Sequence, residues 1–183
     1  MPSFRLKPRL PLWRIGAVVA ALLLAPLLLD LVTPRLVDDH SPVTLGAAGN
    51  PWENVIEWPE GGELVCKKAG DIMMPAWDCD GTMIHAMMVE GSRDEENTLK
   101  RAMRSILMVP ANEGKFVRDD GVLLFETDEG IAISQEGTGD FEGQTMIAVV
   151  TGEKQRPYSA VILHDMRGGD GPLPDLSEIG AKA

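Results

Sequence analysis

Basic residues are scarce in this chain. Its 17 Lys and Arg face 28 Asp and Glu, for a formal net charge of −11. Phosphate recognition needs a basic surface, so the balance argues against nucleic acid as a partner. Cysteine is nearly absent too. Cys66 and Cys79 are the only two, so no thiol near the start can accept a lipid, and a lipoprotein is excluded. There are three histidines (His40, His85 and His164), and no Ser sits in a G-x-S-x-G elbow. No motif therefore assembles a nucleophile, a base and an orienting group. Nor does any motif require a cofactor. Asp78-Cys79-Asp80-Gly81 and Asp119-Asp120-Gly121 lack the ligand spacing of a calcium loop and read as turns, where Asp and Gly serve backbone needs.

Charge is also missing from one stretch. Residues 15–29, IGAVVAALLLAPLLL, carry none, while Arg5, Lys7, Arg9 and Arg14 precede them without an acid. A cationic flank before an apolar run stays in the cytoplasm, so the chain beyond Asp30 is expected outside. Fifteen helical residues span about 22 Å, short of the roughly 30 Å hydrocarbon core, which suits a cleaved signal peptide. Yet the segment after Asp30 is a poor cleavage site. Leu31 and Val32 can lengthen the run outward, Leu10, Leu12 and Trp13 inward, and Arg14 can snorkel to the headgroups. An uncleaved anchor over 15–32 is the expectation, after a basic cytoplasmic start at 1–14. Secretion after cleavage is the alternative.

Outside the cytoplasm an even pair of cysteines forms a disulfide more often than a metal site. Cys66 and Cys79 are expected to bridge two strands, since ELVCKK and WDCDGTMIHAMMV both carry strand chemistry.

Pro34, Pro42, Gly46, Gly49 and Pro51 make 33–51 a spacer, and 52–167 an exported domain. Within it, short strands are expected at 63–68, 82–89, 115–118, 122–126, 131–135, 144–151 and 158–165. Asp80-Gly81 and Asp119-Asp120-Gly121 mark turns between them. Ser92 and Glu95 have the capping-box form. Leu99, Ala102, Met103, Ile106 and Leu107 then share one helical face up to Pro110. The tail, 168–183, has no pattern and is expected to be disordered. The fold class is therefore α+β: a mostly antiparallel sheet with one amphipathic helix packed on it, preceded by a transmembrane helix. In element order alone this resembles the PsbP-like layout of some exported bacterial proteins; no motif accompanies the resemblance, and no residue is carried over.

Methionine is plentiful. Met73, Met74, Met83, Met87 and Met88 surround His85, with Met103 and Met108 on the helix. Strand alternation sets Met83, His85 and Met87 on one face. Such a face most simply packs a core or adapts to a partner. Thioether and imidazole also suit Cu(I), so these three are candidate metal ligands. Trp52, Trp58 and Trp77 are candidate partner contacts wherever they are exposed. These features fit a non-catalytic, membrane-anchored binding module of a bacterial cell envelope, contacting an envelope or secretion protein. A copper-binding protein and an envelope-polymer hydrolase are the alternatives.

Overall fold

A computed structural model describes residues 12–32, 39–47, 49–70, 74–108, 113–169 and 171–176. The chain divides into two units, Met1–Asp38 and Asp39–Ala183. In the first, α1 (Leu12–Val32) is a helix of 21 residues, about 31 Å long at 1.5 Å per residue. Trp13, Val18, Val19, Leu22, Leu23 and Leu24 are all exposed on it. Its described side chains are those of Trp13 and 16–25. Among the described residues no helix is long and apolar enough to cross a membrane. Most of the basic start lies outside the described residues, as does the first part of the spacer.

The second unit is α+β. Its elements are β1 (His40–Pro42), β2 (Thr44–Leu45), β3 (Asn54–Val55), β4 (Val65–Lys68), β5 (Ala76–Cys79), β6 (Thr82–Glu90), α2 (Glu95–Leu107), β7 (Lys115–Asp119), β8 (Val122–Glu126), β9 (Gly130–Glu136), β10 (Gln144–Thr151) and α3 (Gln155–Met166). Eight strands form one antiparallel sheet in the order β1-β4-β5-β6-β10-β9-β8-β7, and β2 pairs with β3 separately. Two tight hairpins set the register. Asp80 and Gly81 (φ 54° and 81°) join β5 to β6, and Asp120 and Gly121 (φ 48° and 81°) join β7 to β8. Two consecutive positive φ values match the twist of the strands they connect, which is why Asp-Gly serves here.

Side-chain alternation divides the core into two layers. On the first face Ile84, Ala86, Leu124, Ile133, Met146 and Ala148 pack with Val43, Leu45 and Ile56 and with Val161, Ile162 and Leu163 of α3. On the second face Leu123, Phe125, Ala132, Ile147 and Val149 pack with Leu99, Ala102 and Met103 of α2. Central β10 is buried along nearly its whole length, as a strand covered on both sides must be. The helix α2 lies over β8, β9 and β10. Its cover thins over β6, where Met83, His85, Met87 and Val89 are half-buried.

Four expectations need correction. Residues 158–165 form the body of the second core-packing helix, α3, rather than a strand. Ser159 to His164 are all buried, and a short continuous apolar run fits either element. Pro157 occupies the first helical turn, where its missing N–H would have had no partner. The spacer ends earlier than 51. His40, Ser41 and Pro42 pair with Lys67, Cys66 and Val65, and Val43 and Leu45 are fully buried. The capping box does not form: Asp94 caps α2, its Oδ1 accepting from Asn97 N–H at 3.0 Å. The Ser92 hydroxyl instead lies 2.9 Å from that of Thr98, and the Glu95 carboxylate is held by Arg118 and by Ser134 Oγ (3.0 Å). The helix closes at Met108 in a left-handed conformation (φ 57°), with Met108 N–H on Arg104 O; Pro110 lies outside the described residues. Finally, the tail is not patternless throughout, since Leu176 packs into the first-face core. Residues 177–183 lie outside the described residues.

Candidate functional site

Burial along β6 alternates from Thr82 to Met87. Thr82, Ile84 and Ala86 turn to the first face and are buried; Met83, His85 and Met87 turn to the second and are half-buried. The register fixes their neighbours. Met83 lies between Asp78 and Thr151, His85 between Ala76 and Val149, and Met87 beside Ile147. The ladder also runs past the end of β5. Ala86 N–H donates to Pro75 O at 3.0 Å, the single bond this pair can make because proline has no N–H. Continued by two residues beyond Ala76 and His85, the same register would set Met74 opposite Met87 on the second face. In antiparallel pairs hydrogen-bonded and non-hydrogen-bonded positions alternate, so Met74 and Met87 take a close, non-hydrogen-bonded position.

These side chains differ in how far the core uses them. Met87 and Val89 pack at the margin of the α2 core. Met83 belongs to neither core cluster among the described residues. Met74 is 42% exposed. His85 Nδ1 is buried with no hydrogen-bond partner, and burial holds its pKa below the ordinary histidine value. The neutral ring is thereby favoured, leaving a lone pair on one nitrogen. A buried polar atom without a partner costs stability, and such atoms are rare enough to need a reason.

Other methionines named from the sequence go elsewhere. Met88 turns to the opposite face, its Sδ 3.0 Å from Asn50 Nδ2. Met103 is fully buried under α2, and Met108 is 85% exposed at the helix end. Met73 lies outside the described residues. Met74 was visible only as one of a group; its place opposite Met87 depends on a ladder that continues through a proline, for which the sequence carries no signal.

Cys66 and Cys79 form the expected disulfide between β4 and β5, with Cα atoms 5.0 Å apart. Both are buried in the first-face core, and the described residues include no free cysteine. No group of three or more His, Cys, Asp or Glu among the described residues is placed to hold a metal.

The three tryptophans have different settings. Trp77 is a core residue and not a contact: it is 5% exposed, and its Nε1 donates to Ser41 Oγ at 2.9 Å. It lies on β5, whose first-face side chains are covered. Trp52 is half-buried and stacks on Phe141 with ring centroids 5.4 Å apart. Trp58 is exposed near Tyr158 and borders a shallow groove with Pro157, Ala160, Leu173 and Leu176.

A polar tie that the sequence did not reveal joins β3 to α3. Asn54 Nδ2 donates to Asp165 Oδ2, and burial pushes the Asp165 carboxyl above its ordinary pKa. Comparison with known protein families, curated proteins and solved structures gives no match for this chain.

Proposed function

We propose that this chain is a membrane-anchored, extracytoplasmic binding module of a bacterial cell envelope, held by 15–32 and acting by contact rather than turnover. The observation that carries the reading is the closed Cys66–Cys79 disulfide. Such cross-links persist in oxidising compartments and are rare in the reducing cytosol. The helical backbone of α1 and its exposed Val and Leu side chains agree with a lipid surrounding. The basic residues before it agree with a cytoplasmic start. A contact role is supported by the thinly covered half of the second sheet face and by exposed Trp58. Its partner would be another envelope or secretion protein.

Full-length fusions at Ala183 test this reading. Alkaline phosphatase there should be active and a green fluorescent protein dark, and the intact mass should retain residues 1–32. A fluorescent, phosphatase-inactive pair would refute the topology. A mature chain lacking 1–32 would replace the anchor by a cleaved signal.

A further inference from the structure

We propose that Met74, His85 and Met87 form a binding site for one soft monovalent cation, Cu(I) in particular. The three residues share the second face where β6 meets the chain before β5. His85 and Met87 stand two residues apart on β6, about 6.8 Å along the strand; Met83, a further step away and about 14 Å from Met87, is beyond the reach of the same ion. Met74 faces Met87 across the ladder that Ala86 N–H and Pro75 O extend. Opposed side chains at such positions start roughly 4.5–5.5 Å apart at Cβ. Long, flexible methionine side chains can close the remaining distance onto one ion.

Two independent observations favour a ligand over packing. The first is the His85 ring, whose Nδ1 is buried and has no partner; a core has no use for that nitrogen, whereas imidazole is the commonest metal ligand. The second is Met74, which is 42% exposed beside that ring and outside both core clusters among the described residues. Two thioethers and one imidazole are a soft, uncharged donor set. That set selects Cu(I), and it lacks the carboxylates and thiolates that would favour Ca(II), Mg(II) or Zn(II). The disulfide keeps Cys66 and Cys79 from competing. This inference concerns the β5–β6 face alone and does not depend on the anchor.

The test is anaerobic titration of the full-length chain in detergent micelles. Cu(I) is supplied with a chromophoric chelator, and ascorbate serves as the reductant because it spares the disulfide. One equivalent of Cu(I) should transfer to the protein. Met74→Leu and Met87→Leu should each weaken binding at least tenfold, His85→Leu should abolish it, and Met108→Leu, an exposed methionine outside the cluster, should leave it unchanged. Near-ultraviolet circular dichroism checks that each variant folds. As a second readout, Ag(I), a redox-inert stand-in, should protect Met74 and Met87 of the wild-type chain from peroxide oxidation, read by mass spectrometry, while Met108 stays reactive. No transfer of Cu(I) to the wild-type chain would overturn the proposal. So would a folded Met87→Leu variant that binds as tightly as wild type, or equal oxidation of Met74 and Met87 with and without Ag(I).

Discussion

Replacing His85 by leucine should make the protein more stable. The physical basis is the buried Nδ1 without a partner. A lost partner for a buried polar group costs about 1–3 kcal/mol. The ring as a whole is only half-buried, so the gain on removing it should lie near the low end, about 1 kcal/mol. For a domain of this size that corresponds to a rise in Tm of roughly 3 °C. The same substitution should change the response to acid. Burial lowers the folded-state pKa of His85, so below the ordinary histidine value the unfolded chain takes up the proton more readily. The wild-type domain therefore loses stability as pH falls from about 6.5 toward the lowered folded value. Nothing from this residue is lost above that window, and His85→Leu should lack this part of the slope. Urea unfolding of the full-length chain, followed by near-ultraviolet circular dichroism at pH 7.5 and 5.5 without metal, measures both effects. A variant less stable than wild type at pH 7.5, or one with an undiminished loss between the two pH values, would show that the unpartnered nitrogen carries no such cost. Saturating Cu(I) should invert the ranking, because only a chain that binds the ion gains from mass action.

Other substitutions probe the frame around the site. Replacing Cys66 and Cys79 together by serine opens a loop of 13-residue separation and should cost roughly 3 kcal/mol in the chain-entropy model, seen as a lower urea midpoint. Asp94→Ala should lower the melting temperature clearly more than Ser92→Ala does, because Asp94 is the residue that caps α2; thermal melts of the two variants distinguish them. Trp77→Ala should destabilise by about 3–5 kcal/mol, whereas Trp58→Ala, at an exposed rim, should change stability by less than about 1 kcal/mol; the same urea experiment reads both.

Much of the sheet was legible because its signals are local. Asp80-Gly81 and Asp120-Gly121 supply the left-handed pairs that tight hairpins need, and burial on β6 alternates from Thr82 to Met87. The face of α2 followed from Leu99, Ala102 and Met103 at helical spacing. What escaped depends on tertiary context. The run from Ser159 to Leu163 is buried almost throughout, so periodicity gave no means to choose helix over strand. Strand β1 is three residues long and exists because Val65, Cys66 and Lys67 lie beside it. Asp94 displaced Ser92 as cap because Glu95, needed to complete the capping box, is held by Arg118 and Ser134 instead. At the candidate site, alternation aligned Met83, His85 and Met87, but the pairing of Met74 with Met87 and the burial of Trp77 arise only when strands meet.

The proposed function stands or falls on the acidic second unit lying beyond the membrane while 15–32 stays within it. Protease added to intact spheroplasts of cells making the full-length chain reads this topology. The second unit should be degraded, and a short N-terminal fragment containing 15–32 should remain membrane-bound after carbonate extraction. A second unit that survives until the membrane is lysed would place it on the cytoplasmic side and defeat the proposal.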